Sequence, residues 1–350
     1  MKGGISIDRK RIVFVACMIT FLFACLPFAF GATAFDPQLV KAAQKEGKVS
    51  LYNSGSREAG DTLLKAFKEK FGISGEQYRA TSNKILTKVM EEIKAKNIYC
   101  DVVTTGSPNV LRLELEGLLQ KLNVKQAQYY PASQKTDYFI NVTGIGLFIM
   151  YNKEQVPESE APREWKDLLN PKWKGKIAMP DWTASTSPMI VYKMLRDVYG
   201  TEFLKKAGEQ DFVVHKAHGA AANAVATGEC AISFEMLSDR IAVQVKKGAP
   251  VGYSVPSPTT FNPRQIGIPK GAPHPNAARL LIEFVLSPEG QKIYNLDYWL
   301  YSFRSGMTYP KEMYPFDKIK VYDFTPQMWI KFTEDLPSLI EEATKFWRKK

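Results

Sequence analysis

The feature that most constrains this chain is a rhythm. From Lys48 onward, short β-prone runs end in small polar loops, and each loop opens an amphipathic helical stretch. Val49-Ser50-Leu51-Tyr52 stops at Asn53-Ser54-Gly55-Ser56, after which Leu63, Leu64, Phe67 and Phe71 fall at helical spacing until Gly72, a residue suited to a helix C-terminus. Glu76 to Ala80, the loop Thr81-Ser82-Asn83 and a helix over Ile85 to Lys96 repeat the unit. Asp101 to Thr104, the loop Thr105-Gly106-Ser107-Pro108 and a helix ending near Gly117 repeat it again. Strands alternating with helices of this length predict an α/β fold with a parallel sheet and helical crossovers.

The middle of the chain keeps the pattern. Gly146 to Tyr151 reads as an apolar strand, and Trp165 to Leu169 as a short helical turn. A strand over Lys176 to Met179 feeds the stretch Asp181 to Ser187 and a helix through Tyr199. Lys216-Ala217-His218-Gly219 precedes an alanine-rich helix that stops at Gly228, and Glu229 to Phe234 is a further strand. Gly267 to Gly271 reads as a loop before a helix over Ala277 to Leu286. No low-complexity linker separates the halves, so strands rather than a flexible tether are expected to join them.

The N-terminus reads as an export signal. Lys2, Arg9, Lys10 and Arg11 precede an apolar run from Ile12 to Phe30, then Ala32-Thr33-Ala34, a small-x-small site with cleavage expected after Ala34. Leu22-Phe23-Ala24-Cys25 is a weak lipobox look-alike that leaves lipid attachment at Cys25 as an alternative. The chain after residue 34 is too long for one typical domain and comfortable for two. Its cysteines, Cys100 and Cys230, each open a strand in a different half, which predicts two buried thiols rather than a bridge. The formal charge of +11 admits nucleic acid, a membrane surface or acidic solutes as partners. With no RNP-like motif, no Cys/His finger spacing and no basic stripe beyond Arg348-Lys349-Lys350, a small anion is favoured over nucleic acid.

Several phrases resemble extracellular solute-binding proteins of family 1, the group holding ferric-iron, polyamine, thiamine and phosphonate binders. Gly47 to Tyr52 with the Leu63 to Phe71 helix is similar to that family's opening. Asn170-Pro171-Lys172-Trp173-Lys174-Gly175-Lys176-Ile177 resembles its second-lobe entry. Gly271-Ala272-Pro273-His274-Pro275-Asn276-Ala277-Ala278 with Leu286-Ser287-Pro288-Glu289-Gly290-Gln291 resembles its late helices. The resemblance implies a type II periplasmic-binding fold, two α/β lobes with a ligand cleft between them. Lobe one is expected at residues 35–138 plus 256–295 and lobe two at 139–255 plus 296–350. It further implies a periplasmic monomer without a cofactor, which hands its solute to the membrane permease of an ABC importer.

The same resemblance raises ferric iron, and the residues argue against its usual form. The place where that branch carries paired tyrosines reads Ile232-Ser233-Phe234-Glu235-Met236-Leu237. Five loops instead carry hydroxyl residues and glycine ahead of a helix: Ser54-Gly55-Ser56, Thr81-Ser82-Asn83, Thr105-Gly106-Ser107, Thr183 to Ser187 (with Ser185 and Thr186), and His218-Gly219. Helix N-termini offer free N–H groups and partial positive charge to phosphate, phosphonate or carboxylate, although Ser, Thr and Asn there are also ordinary caps. Arg57 and Arg304 are candidate contacts to the anion, Trp182 a candidate stacking surface, and Glu235 a candidate for an amine or sugar hydroxyl. No G-x-S-x-G elbow, H-E-x-x-H or P-loop is present, so capture rather than catalysis is expected. An iron or iron-chelate binder and a sensor or scaffold of the same fold stand as alternatives.

Overall fold

A computed structural model describes residues 35–106 and 108–347 of the chain. The export signal, Cys25, Ser107 and the terminal Arg348-Lys349-Lys350 lie outside the described residues. From the start, the elements run α1 (Pro37–Glu46), β1 (Lys48–Asn53), α2 (Arg57–Phe71), β2 (Ser74–Arg79), α3 (Ser82–Lys94), β3 (Val102–Gly106), α4 (Asn109–Leu115) and β4 (Leu119–Gln120). Next come the long strand β5 (Phe139–Asn152), β6 (Ile177–Pro180), α5 (Ser187–Tyr199), α6 (Thr201–Gly208), β7 (Val213–His215) and α7 (His218–Ala226). The remainder is β8 (Ile232–Ser233), β9 (Met236–Leu237), α8 (Ser238–Lys246), β10 (Val251–Ser254), β11 (Phe261–Pro269), α9 (Pro275–Leu286), α10 (Pro288–Tyr294) and α11 (Pro326–Trp347).

Each early unit forms for the reason its sequence suggests. In α2, Leu63, Leu64, Phe67 and Phe71 bury one stripe, Ser56 caps the start by accepting from the Ala59 N–H, and Gly72 ends the helix at φ 72°. That left-handed turn is cheap only for glycine. Strand β1 pairs in parallel with β2 and β3, as crossover helices on a sheet require. The sheet path runs β2-β1-β3-β11-β5-β8-β6-β7.

Two α/β lobes share this path, and β5 belongs to both. Its residues 139–146 pair antiparallel with β11 of lobe one, while Leu147 to Asn152 pair with β8, β9 and β10 of lobe two. All fourteen of its residues are buried, which explains why it reads as an unbroken apolar run. Gly144 sits where the strand is crowded from one side: a Cβ there would come 2.8 Å from the Phe303 ring. The parallel strands β6, β7 and β8 complete lobe two against α7. Cys100 and Cys230 are both free and buried, as expected.

Two elements differ from the sequence expectation, and a third has no counterpart in it. Glu229 to Phe234 yields only the two-residue β8, because Phe234 and Glu235 leave the ladder before β9. Gly267 to Pro269 continues β11 instead of forming a loop, since Ile268 and Pro269 pair with β4. The closing helix α11, interrupted by Pro337, packs on α5 and α6 and buries Trp329, Phe332, Leu339 and Trp347. A proline inside a helix masks the usual periodic signal, and tertiary packing restores the helix there.

Candidate functional site

Between the lobes lies a cleft of about 330 Å³. One wall is lobe one: Ser54, Gly55, Ser56, Glu58 and Ala59 at the start of α2, Arg79 at the end of β2, Arg264 on β11 and Tyr294 on α10. The facing wall is the flank of α8, which presents Asp239, Arg240, Ala242, Val243 and Lys246, with Ile145 of β5 and Tyr298 and Leu300 beside it. Spacing by three puts Arg240, Val243 and Lys246 on one side of that helix.

Arg264 is the centre of the lobe-one wall. Its Nη1 donates to Ser54 Oγ at 2.9 Å, and among the described residues no carboxylate lies within ion-pair distance of it. A guanidinium has five N–H donors, so most of its capacity is unspent. Burial lowers its pKa from the usual guanidinium value, and the neighbouring cations Arg79 and Arg240 act in the same direction, against Tyr294 and Asp239. Arg79 Nε donates to the Gly55 carbonyl at 3.2 Å. Tyr294 OH donates to Asn53 Oδ1 at 3.3 Å, and burial raises its pKa, which keeps the phenol protonated. The lining as a whole carries four cations against two carboxylates.

Of the residues expected from sequence, Ser54, Gly55 and Ser56 line this cleft. The others do not. Thr81 and Asn83 are exposed at the start of α3, Ser82 lies beside Gly106, and the Thr105 hydroxyl is buried without a partner. Thr183 is tied to Asp181 through both its N–H and its hydroxyl, and Ser185, Thr186 and Gly219 lie away from the lining.

Four expectations need correcting. Arg57 is exposed and outside the lining, because the first turn of α2 turns Glu58 and Ala59, not Arg57, towards the cleft. Trp182 offers no stacking face: it is buried edge-on against Trp347, with Nε1 donating to Thr344 Oγ1 at 3.1 Å. Arg304 spends its donors on the Leu286 and Ser305 carbonyls and on Gln126 Oε1, and stacks 4.0 Å from the Tyr129 ring. Glu235 is fully buried, 2.6 Å from His218 Nε2, and neither residue lines the cleft.

The residues that sequence reasoning missed are Arg79, Asp239, Arg240, Lys246 and Arg264. One signal was available for Arg264: a cation directly after Pro263 and just ahead of the apolar Ile266-Gly267-Ile268 is rarely placed there without a partner to meet. Nothing local marks the α8 flank, whose role depends on what it faces.

This geometry has relatives. The sequence profile of a bacterial extracellular solute-binding protein family matches residues 97–305, more than half of the chain. The chain belongs to that family. A Salmonella typhimurium protein named "Putative 2-aminoethylphosphonate-binding periplasmic protein" is 24% identical over 286 residues, covering 77% of this chain and 82% of the relative. Iron-bound HitA from Pseudomonas aeruginosa superposes with a TM-score of 0.73 at 22% identity, covering 85% of this chain and 99% of HitA. AfuA from Actinobacillus pleuropneumoniae, solved with fructose-6-phosphate, superposes at 0.68 with 20% identity, covering 86% of this chain and 98% of AfuA. The two structures establish the two-lobed periplasmic-binding fold. This family member is therefore a solute-binding protein of the ABC-importer type. Among the described residues no helix is long and apolar enough to cross a membrane.

Proposed function

We propose that the cleft captures a small organic anion, phosphorylated or phosphonate-bearing, and that the closed, loaded form hands it to an ABC-type import permease. The observation that carries this reading is Arg264: a part-buried guanidinium, flanked by Arg79 and Arg240, held by one hydroxyl and lacking a carboxylate partner. Cations gathered at one end of a low-dielectric cleft repel each other until an anion arrives. Ser54 Oγ and the first turn of α2 add hydrogen-bond donors on the same wall. Guanidinium and phosphate fit each other in charge and in bidentate geometry.

The two walls also supply a closing mechanism. Arg264 and Arg79 on lobe one face Arg240 and Lys246 on lobe two. Without an anion, like charges oppose approach of the lobes; with one, the same groups favour it. Only such differential affinity for the closed form shifts the equilibrium. A trivalent iron cation fits this cleft poorly, because cations outnumber carboxylates and burial keeps Tyr294 protonated. Export to the periplasm, with cleavage after Ala34, belongs to the same reading.

Thermal unfolding of the ligand-stripped protein against phosphorylated sugars, phosphonates, carboxylates, polyamines, thiamine and ferric citrate tests it. A phosphorylated or phosphonate compound at one hundred times its Kd is expected to add about 2.7 kcal/mol of stability. A shift with ferric citrate alone would overturn the anion reading.

A further inference from the structure

The proposed anion site explains the cations of the cleft and leaves one carboxylate unexplained. Asp239 lies in the first turn of α8 and lines the wall opposite Arg264. Its Oδ1 is closed off from solvent and accepts no hydrogen bond. The Arg240 Nε nearest to it stands at 4.0 Å, too far for one. Buried side-chain oxygens without donors occur elsewhere among the described residues, on Thr105 and Glu235 for example, but Asp239 alone of them belongs to the cleft lining. Asp239 thus keeps only a long ionic contact with Arg240, on a side chain that is partly exposed, and no hydrogen-bond donor at Oδ1. A carboxylate oxygen without a donor is costly, and a donor arriving with the ligand relieves that cost.

Resting on the anion reading above, we infer that Asp239 is a specificity determinant: it selects anionic solutes that also carry a hydrogen-bond donor, an ammonium or a hydroxyl, away from the anionic head. In this arrangement the head sits on Arg264, Arg79 and Ser54 of lobe one, and the donor meets Asp239 on lobe two. The solute then touches both lobes through groups of opposite character. A bare alkyl anion satisfies the first wall and leaves Asp239 without a hydrogen-bond donor, so it binds less tightly and closes the lobes less well.

Calorimetric titration with three probes of equal head and length tests this: ethylphosphonate, 2-hydroxyethylphosphonate and 2-aminoethylphosphonate. The wild-type protein is expected to bind at least one donor-bearing probe about 10- to 100-fold more tightly than ethylphosphonate, the range for a hydrogen bond to a charged group. Which of the two gains more identifies the donor. Asp239→Asn, close in shape, is expected to lose most of that preference while retaining ethylphosphonate affinity and apo melting temperature. Asp239→Ala should lose the preference as well, which covers the case in which the asparagine still accepts. Equal binding of all three probes by the wild type, or a preference that survives both variants, overturns the role of Asp239 and leaves the anion site standing. Failure of all three to bind overturns this inference, and overturns the anion reading as well if phosphorylated sugars also fail to bind.

Discussion

Arg264 and Arg304 are the same side chain in two settings, and the contrast separates ligand machinery from scaffold. Arg304 is buried among lobe-one groups, with Nε, Nη1 and Nη2 all donating to protein acceptors and its plane laid over the Tyr129 ring. Arg264 has one protein acceptor, two cationic neighbours and open cleft in front of it. A guanidinium with all three nitrogens bonded to the protein ties loops together; one with a single such bond keeps most of its donors for a group that enters the cleft. What distinguishes them is the inventory of acceptors within reach.

Three substitutions would break or sharpen that contrast. The largest effect is expected for Arg264→Gln. Removing the charge that faces a buried anion costs about 2–5 kcal/mol of binding, or roughly 30- to 4,000-fold in affinity measured by calorimetry. Apo melting should barely move, because no protein carboxylate loses its partner. Unchanged affinity would take Arg264 out of the site. Arg304→Ala should do the reverse: a loss of about 2–4 kcal/mol in denaturant unfolding from its hydrogen bonds and ring contact, with ligand affinity intact once the protein is folded. A variant that keeps its stability but loses the ligand would erase the distinction drawn here. Arg57→Ala marks the lower end. As an exposed helix-start residue outside the lining, it should change stability and affinity by no more than about 0.5 kcal/mol.

How legible the site was in the sequence follows from the kind of signal each part leaves. Ser54-Gly55-Ser56 could be found because a strand, a small polar loop and a helix start are local events, and the loop sits where parallel α/β sheets present ligands. Arg57 drew attention for the same reason and proved to point elsewhere, since the face a helix residue presents depends on where the helix is laid down. Trp182 and Arg304 looked like site residues because large aromatics and arginines serve both packing and recognition. Their partners, Trp347 and Thr344 for one, Gln126 and Tyr129 for the other, lie far away along the chain. The α8 flank left no trace at all, because Arg240, Val243 and Lys246 read as an ordinary helix surface until a second lobe stands opposite.

The sequence by itself determined the α/β alternation, the order of the early strands and helices, the two buried thiols and the family. These rest on short-range periodicity, capping and turn chemistry, which a few neighbouring residues settle among themselves. Only the tertiary structure decided which cations share one cleft, which arginine is tied down and which is not, and that an Asp239 without a hydrogen-bond donor faces them. Those properties belong to pairs such as Ser54 with Arg264, which lie 210 residues apart in the chain. Electrostatics and hydrogen-bond satisfaction act through space, and no local pattern encodes which distant acceptor will arrive.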